Sequence, residues 1–159
     1  MSKNTNKGNS YRLVMSKLKS SSESQDIFHL IGLIAACESI ISDRLTAFLE
    51  GTNNEDYLKK KKKNKYGISF GMLLSFCKNE LEEKLEPIKG VKKIETANLY
   101  AEIFTWKEKR NEIIHGVCKS NSEEIHKTEK ELFQETLNAC ITGHRLCRLL
   151  LKWSQQRKK

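Results

Sequence analysis

The chain predicts an all-α fold, and three observations carry that expectation. Proline occurs once, at Pro87, and glycine eight times in 159 residues, so helix breakers are scarce. Leu, Ile, Lys and Glu, which suit helices, are abundant. Apolar residues recur at spacings of three and four, and no segment keeps the period of two that marks a half-buried strand. The length fits one domain with a single core. That domain is expected over residues 25–155, between a polar, partly disordered segment at 1–24 and a basic tail at 156–159.

The polar segment lacks the apolar stretch of a secretory signal. Tyr11, Leu13, Val14, Met15 and Leu18 suit a short helix docked on the core. Ser22 with Gln25 then forms a capping box for a first long helix. Ile27, Leu30, Ile31, Ile34, Ile41, Leu45 and Phe48 give it an apolar stripe, and Gly51 is placed to stop it. Thr52 to Tyr66 reads as a polar loop.

A second helix is expected from Ile68 to Leu81, with Phe70, Met72, Leu73, Leu74, Phe76 and Cys77 inward. A charged connection, 82–93, surrounds Pro87 and Gly90. Glu95 to about His115 forms the third helix, with Leu99, Ile103, Trp106, Ile113 and Ile114 on its apolar side and Gly116 as its stop. Ser120 and Glu123 box the start of a final helix to Lys152, which breaks near Thr128. Its buried side is expected to include Leu132, Phe133, Leu137, Ile141, Leu146, Leu149 and Leu150. The expected plan is a bundle of four main, mostly antiparallel helices.

The five cysteines, at 37, 77, 118, 140 and 147, form no CxxC pair and read as reduced, buried thiols of a cytoplasmic protein. No apolar run reaches the length of a membrane span. Gly-rich phosphate loops, GxSxG elbows and HExxH zinc helices are missing, which disfavours those enzyme classes. No metal or other cofactor is expected. A net charge of +9 suits an anionic partner.

Lys59, Lys60, Lys61, Lys62, Lys63 and Lys65 concentrate that charge. They read either as a phosphate-backbone contact or as a solvated stretch. Tyr57 and Tyr66 flank them and would either stack on bases or pin the loop.

The sharpest feature is Arg110-Asn111-Glu112-Ile113-Ile114-His115. An always-charged guanidinium holds phosphate by paired hydrogen bonds, and an imidazole moves protons near neutral pH. Asn111 and His115 are four residues apart and share a helix face. Arg110 lies about 140° round the helix from His115, within reach of a long side chain. Glu38 sits on the apolar stripe of the first helix, where an unpaired carboxylate is costly. Its expected partner is Arg110 or His115, unless it lies at the rim and meets water or a lysine. Lys107 and Lys109 would line the same cleft.

The Arg110-Asn111…His115 pattern resembles that of the HEPN superfamily, small helical bundles of which many are metal-independent ribonucleases. The segment around Glu38 and the Gly71-Met72-Leu73-Leu74 stretch are also similar to that superfamily. One subgroup carries Tyr two residues after the motif His, where this chain has Val117.

The resemblance implies an endoribonuclease that directs the RNA 2′-hydroxyl onto the adjacent phosphate, leaving a 2′,3′-cyclic phosphate and a 5′-hydroxyl. It further implies a homodimer with a composite site, and a toxin or defence role with an antitoxin or regulatory partner. The competing expectations are a non-catalytic HEPN-fold module that binds nucleic acid or protein, and an unrelated helical DNA-binding regulator.

Overall fold

The computed structural model describes residues 27–83, 98–118 and 129–157. The N-terminal helix, both capping boxes, the 84–93 part of the connection and the break near Thr128 lie outside them. Among the described residues every regular element is an α-helix. They are α1 (Ile27–Gly51), α2 (Glu55–Lys63), α3 (Phe70–Phe76), α4 (Lys78–Glu82), α5 (Leu99–Cys118) and α6 (Glu129–Gln156). No helix of these residues is long and apolar enough to cross a membrane.

The described chain divides into two compact units. The first takes 27–40 of α1, 105–118 of α5 and 129–145 of α6. Its core holds Leu30, Leu33, Ile34, Cys37, Trp106, Ile113 and Cys140. The Trp106 indole N–H donates to the Ala139 carbonyl at 2.9 Å, and its ring lies against Gly143. The Cys140 thiol donates to the Leu30 carbonyl at 3.2 Å.

Two expected core positions face outward here. Ile114 is 37% exposed and Ile141 52%. Around Ile141, the buried face of α6 instead runs through Thr136, Ala139, Cys140 and Gly143. Small residues, not the large ones, meet the indole there. The Thr136 hydroxyl is satisfied inside the helix by the Leu132 carbonyl at 2.6 Å. Gly116 does not end α5, which continues to Cys118. A helical glycine costs about 1 kcal/mol against alanine but does not by itself break a helix.

The second unit takes 41–83, 98–104 and 146–157. Ile41, Leu45, Leu49, Leu74, Leu81 and Trp153 are wholly buried in it. The Trp153 indole N–H donates to the Glu80 carbonyl at 3.2 Å, and its ring stands 4.6 Å from that of Phe48. Arg157, expected in a loose tail, bonds the same carbonyl at 3.1 Å and pairs with Glu83. The Glu80 carbonyl and the Glu83 carboxylate, at the end of α4, together capture its guanidinium.

Thr52–Tyr66 is not the expected loop, because α2 occupies most of it. Asn53 takes a positive φ of 49° and closes α1. Its amide reaches the Glu50 carbonyl and that of Asn54 reaches Leu49, a Schellman pattern. Asn53, rather than Gly51, is thus the left-handed stop. The Asn54 side chain then caps α2 by accepting from the Tyr57 amide at 3.0 Å. Glu55 and Asp56 fill the first turn of α2 and Lys60 to Lys63 its last, so the charges complement the helix dipole.

Tyr57 is buried and pins α2: its hydroxyl donates to Glu50 at 3.2 Å and its ring meets Phe76 edge-on. Lys61 pairs with the same Glu50 carboxylate and lies 5.9 Å over the Tyr57 ring.

The hydrogen bond from Lys61 holds the Glu50 carboxyl below its ordinary range, against the opposing effect of desolvation. Burial, followed by the charge of Glu50, pushes the Tyr57 phenol up. A depressed carboxylate stabilises the fold above its unfolded-state value and loses that contribution as pH falls through the folded one. A raised phenol stabilises the fold below its unfolded-state value and loses the contribution as pH rises through the folded one. Thermal stability is therefore expected to fall as pH drops through the carboxylate range and as it rises above pH ~10. Glu50→Gln should flatten the acid limb; an unchanged acid limb would dissociate it from this contact.

The expected helix Ile68–Leu81 is two helices. Ser69 caps α3 by accepting from the Met72 amide, after Gly67 turns the chain at φ 85°. The Ser75 hydroxyl donates to the Met72 carbonyl at 2.8 Å, a competition with the backbone ladder that bends helices. The Cys77 amide then reaches both the Leu73 and Ser75 carbonyls, and α4 starts anew.

Candidate functional site

The candidate site lies wholly within the first unit, where α5 faces α1 and α6. Trp106 and Ile113 bury one side of α5. Arg110 is four residues after Trp106 and three before Ile113, so it emerges at the edge of that buried side. Its side chain is only 18% exposed. One terminal nitrogen, Nη1, pairs with the Glu38 carboxylate of α1, itself 26% exposed. Nε and Nη2 donate to the Asn111 side-chain oxygen at 3.2 and 2.7 Å.

A guanidinium carries five N–H donors. Three contacts commit three of them, which fixes the plane of the group. Desolvation by the surrounding core lowers the Arg110 pKa from its ordinary value, yet an arginine remains charged at any physiological pH.

Glu38 thus takes one of its expected partners, Arg110. His115 behaves differently. It is exposed, and among the described residues it makes no hydrogen bond to Arg110, Asn111 or Glu38. The helix explains this. His115 shares the solvent side of α5 with Asn111 and Phe104, whereas Arg110 is turned about 140° towards the core. Asn111 stands between the two, its oxygen spent on the guanidinium and its amide N–H groups left as donors.

The lysines of the motif helix are tethered. Lys107 pairs with Glu108 at 3.0 Å. Lys109 pairs with Glu112 at 3.3 Å and with Glu135 of α6 at 3.6 Å. The Lys109–Glu112 spacing was legible in the sequence, whereas Glu135 comes from a separate helix. Lys59 to Lys65 belong to the second unit.

Nothing else described offers comparable chemistry. Cys77 and Cys140 are buried thiols pushed up to about 12, by burial first and then by Glu80 and Cys37 respectively. Such groups are poor nucleophiles at neutral pH. Cys37 and Cys147 are buried as well and form no disulfide. Among the described residues no cluster of His, Cys, Asp and Glu fits a metal ion. His29 and His144 are half-buried. Searches against family models, curated proteins and solved structures returned no match for the chain.

Proposed function

We propose that the chain is a HEPN-type, metal-independent endoribonuclease in which Arg110, Asn111 and His115 act on RNA. The carrying observation is the division of labour on α5: a guanidinium held by Glu38 and Asn111, with an exposed imidazole a little over one turn further on. A fixed cation stabilises charge developing on phosphate without reorganising during the reaction. A solvent-facing imidazole is free to exchange protons.

In the proposed reaction His115 takes the proton of the 2′-hydroxyl, whose oxygen attacks the adjacent phosphorus. The 5′-oxygen leaves and receives a proton. Arg110 neutralises the phosphate oxygens of the pentavalent transition state, and the Asn111 amide donates to phosphate or orients the imidazole. One exposed His supplies one proton transfer at a time. A homodimer with facing α5 helices would bring a second His115 and serve both steps. The same reading takes the protein as a HEPN-like bundle, a cytoplasmic toxin or defence effector restrained by an antitoxin or regulatory protein.

A specific observation also favours the non-catalytic binding module. A half-buried Arg–Glu pair bridging two helices serves architecture equally well. The chemistry of the products separates the two. Purified protein incubated with mixed RNA in EDTA is expected to leave 2′,3′-cyclic phosphate and 5′-hydroxyl ends. Cleavage that EDTA abolishes, or 3′-hydroxyl and 5′-phosphate ends, would overturn the proposal.

A further inference from the structure

We infer that α2 and the turn after it form a preformed surface for single-stranded nucleic acid, with Tyr66 as a base-stacking platform. The Asn54 cap and the buried Tyr57 hold α2 in place. With a step of about 100° per residue, Lys59, Lys62 and Lys63 fall within an arc of roughly 100°, on the side opposite Tyr57. Lys61 is spent on Glu50, and Lys59 has only a 4.0 Å contact with Glu55 between largely exposed side chains. Among the described residues Lys62, Lys63 and Lys65 have no carboxylate within ion-pair reach.

One or two cations are enough to complement a helix C-terminus. The last turn of α2 holds four, and Lys65 follows after the Asn64 cap. Tyr66 comes next and is fully exposed, held at a turn by Gly67 at φ 85°.

Phosphates on lysines and bases on an open aromatic face are how proteins grip single strands without reading sequence. A duplex keeps its base faces stacked and would ignore Tyr66. An anionic membrane suits the lysines less well, because a surface-seeking helix turns an apolar face to lipid. The apolar side chains of α2 form no such open face: Tyr57 is packed inward and Leu58 is half-buried. This surface stands independently of cleavage at Arg110.

The full chain would be titrated with a labelled single-stranded 2′-O-methyl RNA, which has no free 2′-hydroxyl and cannot be cut by the proposed route. A duplex of the same sequence and phosphatidylserine-containing vesicles complete the set. Tyr66→Ala should weaken single-strand binding by roughly tenfold or more, Tyr66→Phe should retain it, and duplex binding should not change between them. Replacing Lys59, Lys62 and Lys63 together by Gln should reduce the salt dependence of single-strand binding by about two in slope.

Gln keeps helix propensity and Tyr66 touches no core, so folding is preserved. Equal affinity of Tyr66→Ala and wild type, equal affinity for duplex and single strand, or binding to vesicles alone would each overturn the inference.

Discussion

His115→Ala is expected to abolish RNA cleavage without measurable loss of stability, whereas Arg110→Ala should lose both. Each substitution removes a group acting in the proposed transition state, for which a loss of about 10²-fold or more is ordinary. Their structural costs differ. His115 is exposed, and surface replacements usually stay within about 0.5 kcal/mol.

Removing Arg110 strands the Glu38 carboxylate, 26% exposed, beside the core at a cost of roughly 1–3 kcal/mol. Glu38→Ala should be destabilising as well. The double variant Glu38→Ala/Arg110→Ala should cost clearly less than the sum of the two, because one contact is removed once. RNA cleavage assays beside urea unfolding read all four proteins. Wild-type cleavage by His115→Ala would remove the imidazole from the proposed reaction, whereas absence of cleavage by the wild type itself would favour the binding module.

The second large effect lies at Trp106. Trp106→Ala should cost about 3–5 kcal/mol, since it empties a buried site and deprives the Ala139 carbonyl of its donor. Gly143→Ala sharpens the test. In an open helix that change gains about 1 kcal/mol. Here the added methyl would lie 2.9 Å from the Trp106 ring, too close for either group to stay where it is. The ring is tethered by its own N–H, so overpacking of about 1–3 kcal/mol should prevail.

In the Trp106→Ala background the sign should reverse, with Gly143→Ala becoming stabilising. Thermal melts of the four proteins decide it; destabilisation in both backgrounds would mean that something other than the indole reserves this position for glycine. Since Arg110 is one turn from Trp106, losing this seat should also misplace the guanidinium and slow cleavage.

The apolar spacing revealed α1, α5 and α6 because long amphipathic stripes outweigh local ambiguity. It failed where packing chooses between adjacent faces. Ile114 and Ile141 satisfied threes and fours, yet the indole of Trp106 selected the small residues Ala139 and Gly143 and rotated Ile141 outward. Composition concealed α2, since a lysine run reads as solvated chain. The capping signal at Asn54-Glu55-Asp56 was nevertheless present, and Tyr57 alone supplies the buried anchor.

At the candidate site, Glu38 was conspicuous as a carboxylate on an oily stripe. Its choice of Arg110 over His115 was not legible, because it depends on how α1 faces α5. The outward direction of His115 follows from helix geometry once Arg110 is known to face inward.

In the resting protein Arg110 already grasps an internal anion. Any phosphodiester reaching it must share the guanidinium with Glu38 through the N–H groups left uncommitted, so a singly charged ground state should win little. A phosphorane-like species, bearing more negative charge on its equatorial oxygens, would compete better. Under the proposed function the carboxylate therefore acts as a threshold, discouraging idle occupancy by stray anions while rewarding the fleeting geometry at the summit of the reaction.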